Sequence, residues 1–359
     1  MNNKEIIDEI KANLTNEKDV DIAYLQTEME IYKKMHNEEV IYAIADMLFH
    51  YLDPKVKEKL DLKTHQVLDE RREEYEKVLN LLENDRYDEA KAILIKLSLT
   101  FKKASYVKEK NYYDFDQMIE YFLFCENVQN AKKLKIRRYP EPITYYLYQL
   151  ASIYQKENNI YKAIDSLEEA LTYNPRCQYV MQELMLLYEE VSKDEEAFEL
   201  AKTSLKYAYA KEQLAQAYQF IAKYFFKKQC YDIAIVCYLT SDSYRKTPQN
   251  KEVVIQLVKE YSKVPLEQIS DVNDIFAKYH LQQGIAENVI FTINDFIAYA
   301  KRLNDYETVL YLLNIASELT DDAYYQIQIA ENAKKLEEKT NGNKNKNFTS
   351  DEVDIFYNN

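Results

Sequence analysis

Ala151, Tyr154, Ala163, Ala170 and Leu171 are followed, 34 residues on, by Met185, Tyr188, Ala197, Ser204 and Leu205. Small and apolar residues returning at a fixed period of about 34 are the mark of stacked helix–turn–helix units. Each such unit carries an apolar stripe that it cannot hide alone, so neighbours must stack on it and share a continuous core. The period therefore fixes how the chain is built, and it excludes most enzyme folds before any single residue is weighed.

Glycine usage agrees. The 359 residues contain two glycines, Gly284 and Gly342, where an average chain carries about 7%. Glycine supplies the positive φ angles of tight hairpins and of loops that cradle phosphates. Its scarcity argues against β-rich folds, dinucleotide-binding folds and phosphate-binding loops together. Tyr is in excess, with 34 residues beside 14 Phe and no Trp. Tyr can fill a gap between helices while its hydroxyl stays wet. The net charge of −14 repels nucleic-acid phosphates and anionic membranes. The cysteines Cys125, Cys177, Cys230 and Cys237 form no CxxC pair, and a chain of this size needs no disulfides. The first residues, MNNKEIIDEIKANLTNEKD, lack an apolar leader segment, and no run of 18 apolar residues exists. A reducing, cytoplasmic setting is expected.

The clearest unit runs from Thr144 to about Cys177. Leu147, Leu150, Ala151 and Tyr154 lie on one face of its first helix, at the spacing of a buried helical stripe. Asn158 and Asn159 make the turn, since Asn tolerates the left-handed conformation. Ala163, Leu167 and Ala170 face inward from the second helix, and Pro175 stops it. Ala151 and Ala163 are expected where the two helices approach most closely. The next unit places Met181, Leu184, Met185 and Tyr188 on its first helix, turns at Lys193 and Asp194, and returns Ala197, Ala201 and Leu205. A third follows after a three-residue insertion, with Ala222, Phe225, Tyr231, Ala234 and Tyr238. A weaker fourth holds Tyr306, Val309, Leu313 and Ala316.

Between these, 250–284 is helical by period but off-pattern, and Gly284 is expected to cap a helix. Upstream, Tyr87, Ala90, Leu94 and Leu97 look like the end of another unit. Leu25, Met29, Tyr32, Ile41, Ala45 and Leu48 suggest a looser helical pair ending near Pro54. Residues 99–140 read as a connector holding one helix, FDQMIEYFLF, and the basic run Lys132, Lys133, Lys135, Arg137, Arg138. After Leu336 the period is lost and a mobile tail is expected. Its acidic and aromatic residues, from Asp351 to Tyr357, could dock on the basic run. The organisation expected is thus 1–70, 71–140, an array over 141–336, and a tail over 337–359.

No chemistry-bearing constellation emerges. His36, His50, His65 and His280 fall in no metal-ligand spacing, and no nucleophile motif or phosphate loop is present. No catalytic residue, cofactor or metal is expected, and an enzyme is the least favoured class.

Thr144–Pro175 looks like a tetratricopeptide repeat. The stretches IRRYPEPITYYLYQLASIYQKEN and KYAYAKEQLAQAYQFIAKYFFKKQCYDIAIVCYL make residues 70–320 similar to a group of cytoplasmic bacterial tetratricopeptide proteins. The first-helix Trp is missing, and Ala, Met or Ile replaces the repeat's Gly. A fainter likeness, over VIYAIADMLFHYLDP, is to the peptide-binding signalling repeat proteins of spore-forming bacteria. The resemblance implies an all-α, right-handed superhelix of tetratricopeptide-like units whose first helices line a concave groove. Their second, fifth, ninth, twelfth and thirteenth positions would point into it. From Thr144 these are Tyr145, Tyr148, Ser152, Gln155 and Lys156. From Gln178 they are Tyr179, Gln182, Leu186, Glu189 and Glu190; from Ala215, Gln216, Gln219, Lys223, Phe226 and Lys227. Tyr and Gln can bond a peptide backbone, and Lys can meet a carboxylate. Alternatively, these side chains solvate the face or pack on neighbouring segments. The Lys/Asn clamp of chaperone-tail binders is absent, because Ser152 and Leu186 stand at its Asn positions. The function expected is a protein- or peptide-binding scaffold without nucleic-acid or membrane partners. The alternative is a peptide-responsive regulator whose coil tightens on binding.

Overall fold

The computed structural model describes residues 3–15, 17–34, 37–51, 54–102, 112–127, 136–246, 248–261 and 272–343. Lys132, Lys133, Lys135 and the tail beyond Asn343 lie outside the described residues. The chain divides into two compact units, residues 1–74 and 75–359.

In the first unit, α1 (Asn3–Ala12), α2 (Lys18–Lys34) and α3 (Glu38–His50) enclose Ile10, Leu25, Val40, Ile44 and Met47. The buried stripe of α3 is therefore Val40, Ile44 and Met47; Ala45, expected inside, is exposed. VIYAIADMLF is apolar almost throughout, so periodicity alone could not choose its inward face. Asp21 is buried and accepts hydrogen bonds from the Thr15 backbone N–H at 2.8 Å, the Thr15 hydroxyl at 2.9 Å and the Tyr51 hydroxyl at 2.7 Å. One carboxylate thus ties the α1–α2 loop to the end of α3. Pro54 opens α4 (Pro54–Glu83), at a position where a missing N–H costs nothing.

The second unit is a succession of antiparallel helix pairs. The end of α4 pairs with α5 (Tyr87–Lys102), α7 (Ile143–Lys156) with α8 (Ile160–Tyr173), and α9 (Gln178–Glu190) with α10 (Asp194–Tyr207). Next come α11 (Lys211–Lys227) with α12 (Tyr231–Tyr244), and α15 (Glu287–Arg302) with α16 (Tyr306–Thr320). Each of these pairs turns in the same way. Asp85, Asn158, Ser192, Gln229 and Asn304 all take left-handed φ angles, between 55° and 61°. The next residue's N–H closes the helix end by bonding a carbonyl five residues back: Arg86 to Leu81, Asn159 to Tyr154, Lys193 to Tyr188, Cys230 to Phe225 and Asp305 to Ala300, at 2.8–3.0 Å. This satisfies carbonyls that the helix leaves open. The turns need no glycine, although a left-handed residue with a Cβ is held at some cost. In the second unit's α9–α10 turn, Ser192 takes the left-handed place, and Asp194 already begins α10.

The turn residues set the register. Asn158 and Ser192 are 34 apart (192 − 158), and Ser192 and Gln229 are 37 apart (229 − 192). The three extra residues lengthen α11, which starts at Lys211 and not at Ala215. Asp85 to Asn158 is 73, and Gln229 to Asn304 is 75. The first of these intervals holds a pair of two-residue strands and α6 (Met118–Asn127), so the fold is all-α apart from this one ladder among the described residues. Strand β1 (Tyr112–Tyr113) lies parallel to β2 (Arg137–Arg138). The second interval holds α13 (Pro248–Tyr261) and α14 (Val272–Lys278).

The expected notches are in place. Ala151, Ala163, Ala170 and Ala197 are buried in one core cluster with Leu147, Leu150, Leu167 and Leu184, and Ala201 in another with Met185 and Leu205. Ser204, where the previous unit has Ala170, donates to the Gln178 carboxamide at 2.7 Å, and the Gln178 amide donates back to the Ser204 carbonyl at 3.2 Å. In the next pair the Ser241 hydroxyl donates to the Ala215 carbonyl at 2.8 Å. A polar residue is thus accepted at the tight contact when its partner is another helix's backbone or amide.

Two expectations are corrected. Gly284 does not cap a helix. It sits between α14 and α15 with φ of 74°, and its N–H donates to the Tyr218 hydroxyl at 2.6 Å. A side chain there would be strained by the backbone angle. The second correction concerns 337–343: α17 (Ala323–Asn343) continues through it. A last helix has solvent on much of its surface, so its polar composition resembles that of a tail.

Candidate functional site

The candidate surface is made by successive first helices, α7, α9 and α11. Tyr145 and Tyr148, one turn apart on α7, meet Tyr179 in the first turn of α9. Their ring centroids are 6.5 Å apart for Tyr145–Tyr148, 5.7 Å for Tyr145–Tyr179 and 5.0 Å for Tyr148–Tyr179, and the rings are mutually tilted by 52–87°. Tyr145 is 37% exposed and the other two are half-buried. Burial raises all three phenols above the usual tyrosine range, and neighbouring carboxylates add to it: Asp116 at Tyr145, Glu183 at Tyr148 and Asp116 at Tyr179, where the Cys177 thiol also contributes. The phenols are therefore neutral donors at neutral pH. Gln182 lies half-buried on the same helix as Tyr179, and Leu186, one turn further, is 47% exposed.

Lower on this face the expected lysines are engaged within the chain. Lys223 of α11 pairs with Glu189 of α9 at 2.7 Å, and Lys227 with Asp194 at 2.5 Å. Lys156 lies over the Tyr87 ring, 4.6 Å from its centroid. Ser152 turns its hydroxyl back to the Tyr148 carbonyl at 3.2 Å, and Gln155 is half-buried. Gln216 and Gln219 are half-buried, Glu190 is exposed, and Phe226, 39% exposed, leans toward Tyr231 with centroids 6.0 Å apart. Thus Tyr145, Tyr148 and Tyr179 are brought together, Lys223 is tied to Glu189, and Phe226 and Lys227 stand apart from the tyrosines. Sequence reading did not single out Lys228, whose pair with Glu195 at 2.8 Å extends the ionic row, nor Tyr224, which donates to Glu195 at 2.7 Å and stacks on Phe198 at 4.1 Å.

Nor was the role of α6 legible as more than a connector. Asp114, just before it, is buried; its carboxylate accepts the Thr144 N–H at 2.7 Å and so caps α7, while its own N–H donates to the Tyr173 carbonyl at the end of α8. Glu120 is fully buried. It accepts from the Asn174 amide at 2.8 Å, and more loosely from the Tyr209 hydroxyl and the Gln117 N–H, both at 3.3 Å. Burial pushes its carboxyl up to about 7, against the stabilising pull of those donors. Phe122 stacks on Phe296 of α15 at 3.8 Å, and the Thr308 hydroxyl of α16 meets the Met118 sulfur at 3.9 Å. Helix α6 therefore joins the α8–α9 junction to the last pair of the array. The available signal was a lone carboxylate inside MIEYFLF.

Elsewhere, Arg137 donates to the Tyr112 hydroxyl at 3.3 Å. Among the described residues no group of three or more His, Cys, Asp or Glu gathers around a metal-sized space, and no helix is long and apolar enough to cross a membrane. His50 and His280 are exposed; His36 and the His65 side chain lie outside the description.

No family model and no curated protein matches the sequence. Among solved structures, the chain is similar to one from the functional characterization of Pseudomonas aeruginosa pilF, with 18% identity and a TM-score of 0.38, covering 74% of this chain and 99% of that one. It is similar also to the P58(IPK) TPR domain, with 13% identity and a TM-score of 0.31, covering 89% of this chain and 80% of the other. These scores are too low to carry an argument. The paired helices, the repeated left-handed turn and the alanine notches at a 34-residue interval make the chain an all-α helical-repeat protein on its own geometry.

Proposed function

We propose that this chain is a non-catalytic scaffold that holds a polypeptide segment across the first helices α7 and α9. The observation that carries this reading is the cluster of Tyr145, Tyr148 and Tyr179, half-open to solvent and continued by Gln182 and Leu186. Amphipathic rings and amides suit a peptide because they bury apolar area and still bond a backbone. The net charge of −14 favours a protein partner over nucleic acid, and four unbridged cysteines suit a reducing cytoplasm.

A photo-crosslinking amino acid placed at Gln182 should capture a polypeptide in the source cells. The same group at Tyr161, which is 67% exposed on the second helix α8, should not. Equal capture at both positions, or capture at Tyr161 alone, would remove the first-helix face from consideration.

A further inference from the structure

The tyrosine corner is not electrostatically neutral. Asp116, exposed in the bend before α6, acts on Tyr145, Tyr179 and the half-buried Tyr75, and Glu183 acts on Tyr148. Neither carboxylate is paired with a cation among the described residues; Asp116 accepts only the neighbouring Gln117 amide, at 3.2 Å. The lysines of the same face are spent elsewhere, Lys223 on Glu189, Lys227 on Asp194 and Lys156 on the Tyr87 ring. The positive end of α7 is also quenched, since the Asp114 carboxylate accepts the Thr144 N–H. Three tilted ring faces and two carboxylates are thus left together, with no cation paired to those carboxylates among the described residues. Aromatic faces carry negative potential and attract cations, most strongly where water is partly excluded.

We infer that the corner formed by Tyr145, Tyr148 and Tyr179 receives an Arg or Lys side chain of the bound peptide, with Asp116 and Glu183 supplying the opposing charge. This rests on the scaffold reading and gives its partner a chemistry: a basic segment, complementary to an acidic chain. An acidic or carboxylate-terminated segment is disfavoured, because the ammonium groups that would hold it are already paired.

The test is selection of peptides from a random display library on the full-length chain, followed by affinity measurement with the selected sequences as synthetic peptides. Selected peptides should be enriched in Arg and Lys. Replacing the critical Arg by citrulline, or Lys by norleucine, should weaken binding at least tenfold. Tyr145→Ala should cost about three- to tenfold, Tyr145→Phe should retain the affinity, and Asp116→Asn should weaken binding and flatten its salt dependence. Tyr145 is exposed enough for these variants to fold, which their unchanged melting temperature would verify. Selected peptides that are neutral or acidic, or that tolerate citrulline and norleucine, overturn the inference. If such peptides still compete with crosslinking at Gln182, the scaffold reading stands without it. A library that yields no binder counts against both.

Discussion

The two halves of the first-helix face differ in what they leave free. Around α11 the side chains answer carboxylates of the preceding pair: Lys223 with Glu189 of α9, and Lys227 and Lys228 with Asp194 and Glu195 of α10. Between α7 and α9 they are aromatic, half-open and bordered by carboxylates that have no cation partner among the described residues. Both halves lie on the first-helix face, the tyrosines at the second and fifth positions and the Lys223–Glu189 pair at the ninth and twelfth, so lying on that face does not by itself confer a binding role. A surface is available to a partner only where the chain has not already used its functional groups. The aromatic half is also the one braced from outside the repeat, because the segment that carries Asp114, Asp116 and Glu120 packs at the starts of α7 and α9.

The sharpest way to break this comparison is to remove that brace. Phe122 is buried and stacked on Phe296, so Phe122→Ala should lower stability by about 3–5 kcal/mol, read as a shift of the denaturant midpoint. Loss of less than about 1 kcal/mol would mean that α6 is not an integral part of the array.

Next in size is the effect of pH on Glu120. Its carboxyl is raised to about 7 in the folded chain, against about 4.3 when unfolded. The folded state therefore binds the extra proton. The stability tied to this group is fully present below about pH 4.3, is lost as pH rises toward 7, and stays lost above it. The full swing is about 4 kcal/mol, an order-of-magnitude figure. Glu120→Gln should remove this component, so the variant should gain on the wild type between pH 5 and pH 8. An unchanged difference between the two proteins across that range would contradict the assignment.

A smaller effect is expected beneath the tyrosines. Ala163 has no exposed surface where α8 meets α7, so Ala163→Leu should overpack the notch and cost about 1–3 kcal/mol. The smallest belongs to the ionic half. Lys223 and Glu189 are both partly exposed, and Lys223→Gln should change stability by less than about 1 kcal/mol. A larger loss would show that the ionic row is structural.

Much of the array could be read from residue order, because close helix approach demands alanine-sized residues and stripes demand a helical period. Ala151, Ala163 and Ala197 are buried as that logic requires, and Asn158 takes the left-handed turn expected of it. Three features escaped for identifiable reasons. The face of α3 was ambiguous because nearly every residue in it is apolar. Helix α6 matches no repeat, and its burial depends on contacts with residues as distant in sequence as Phe296 and Thr308. The engagement of Lys223 and Lys227 depends on carboxylates of the preceding unit, 34 and 33 residues back. Local periodicity marks which residues share a face, but not which of them satisfy each other across helices.

The most direct measurement compares the two halves in one binding experiment. Peptides selected on the wild-type chain would be titrated against Tyr148→Ala, from the aromatic half, and Lys223→Gln, from the ionic half. Affinity should fall at least tenfold for the tyrosine variant and stay within about twofold for the lysine variant. The reverse order, or equal losses, would contradict the placement of the binding surface on α7 and α9.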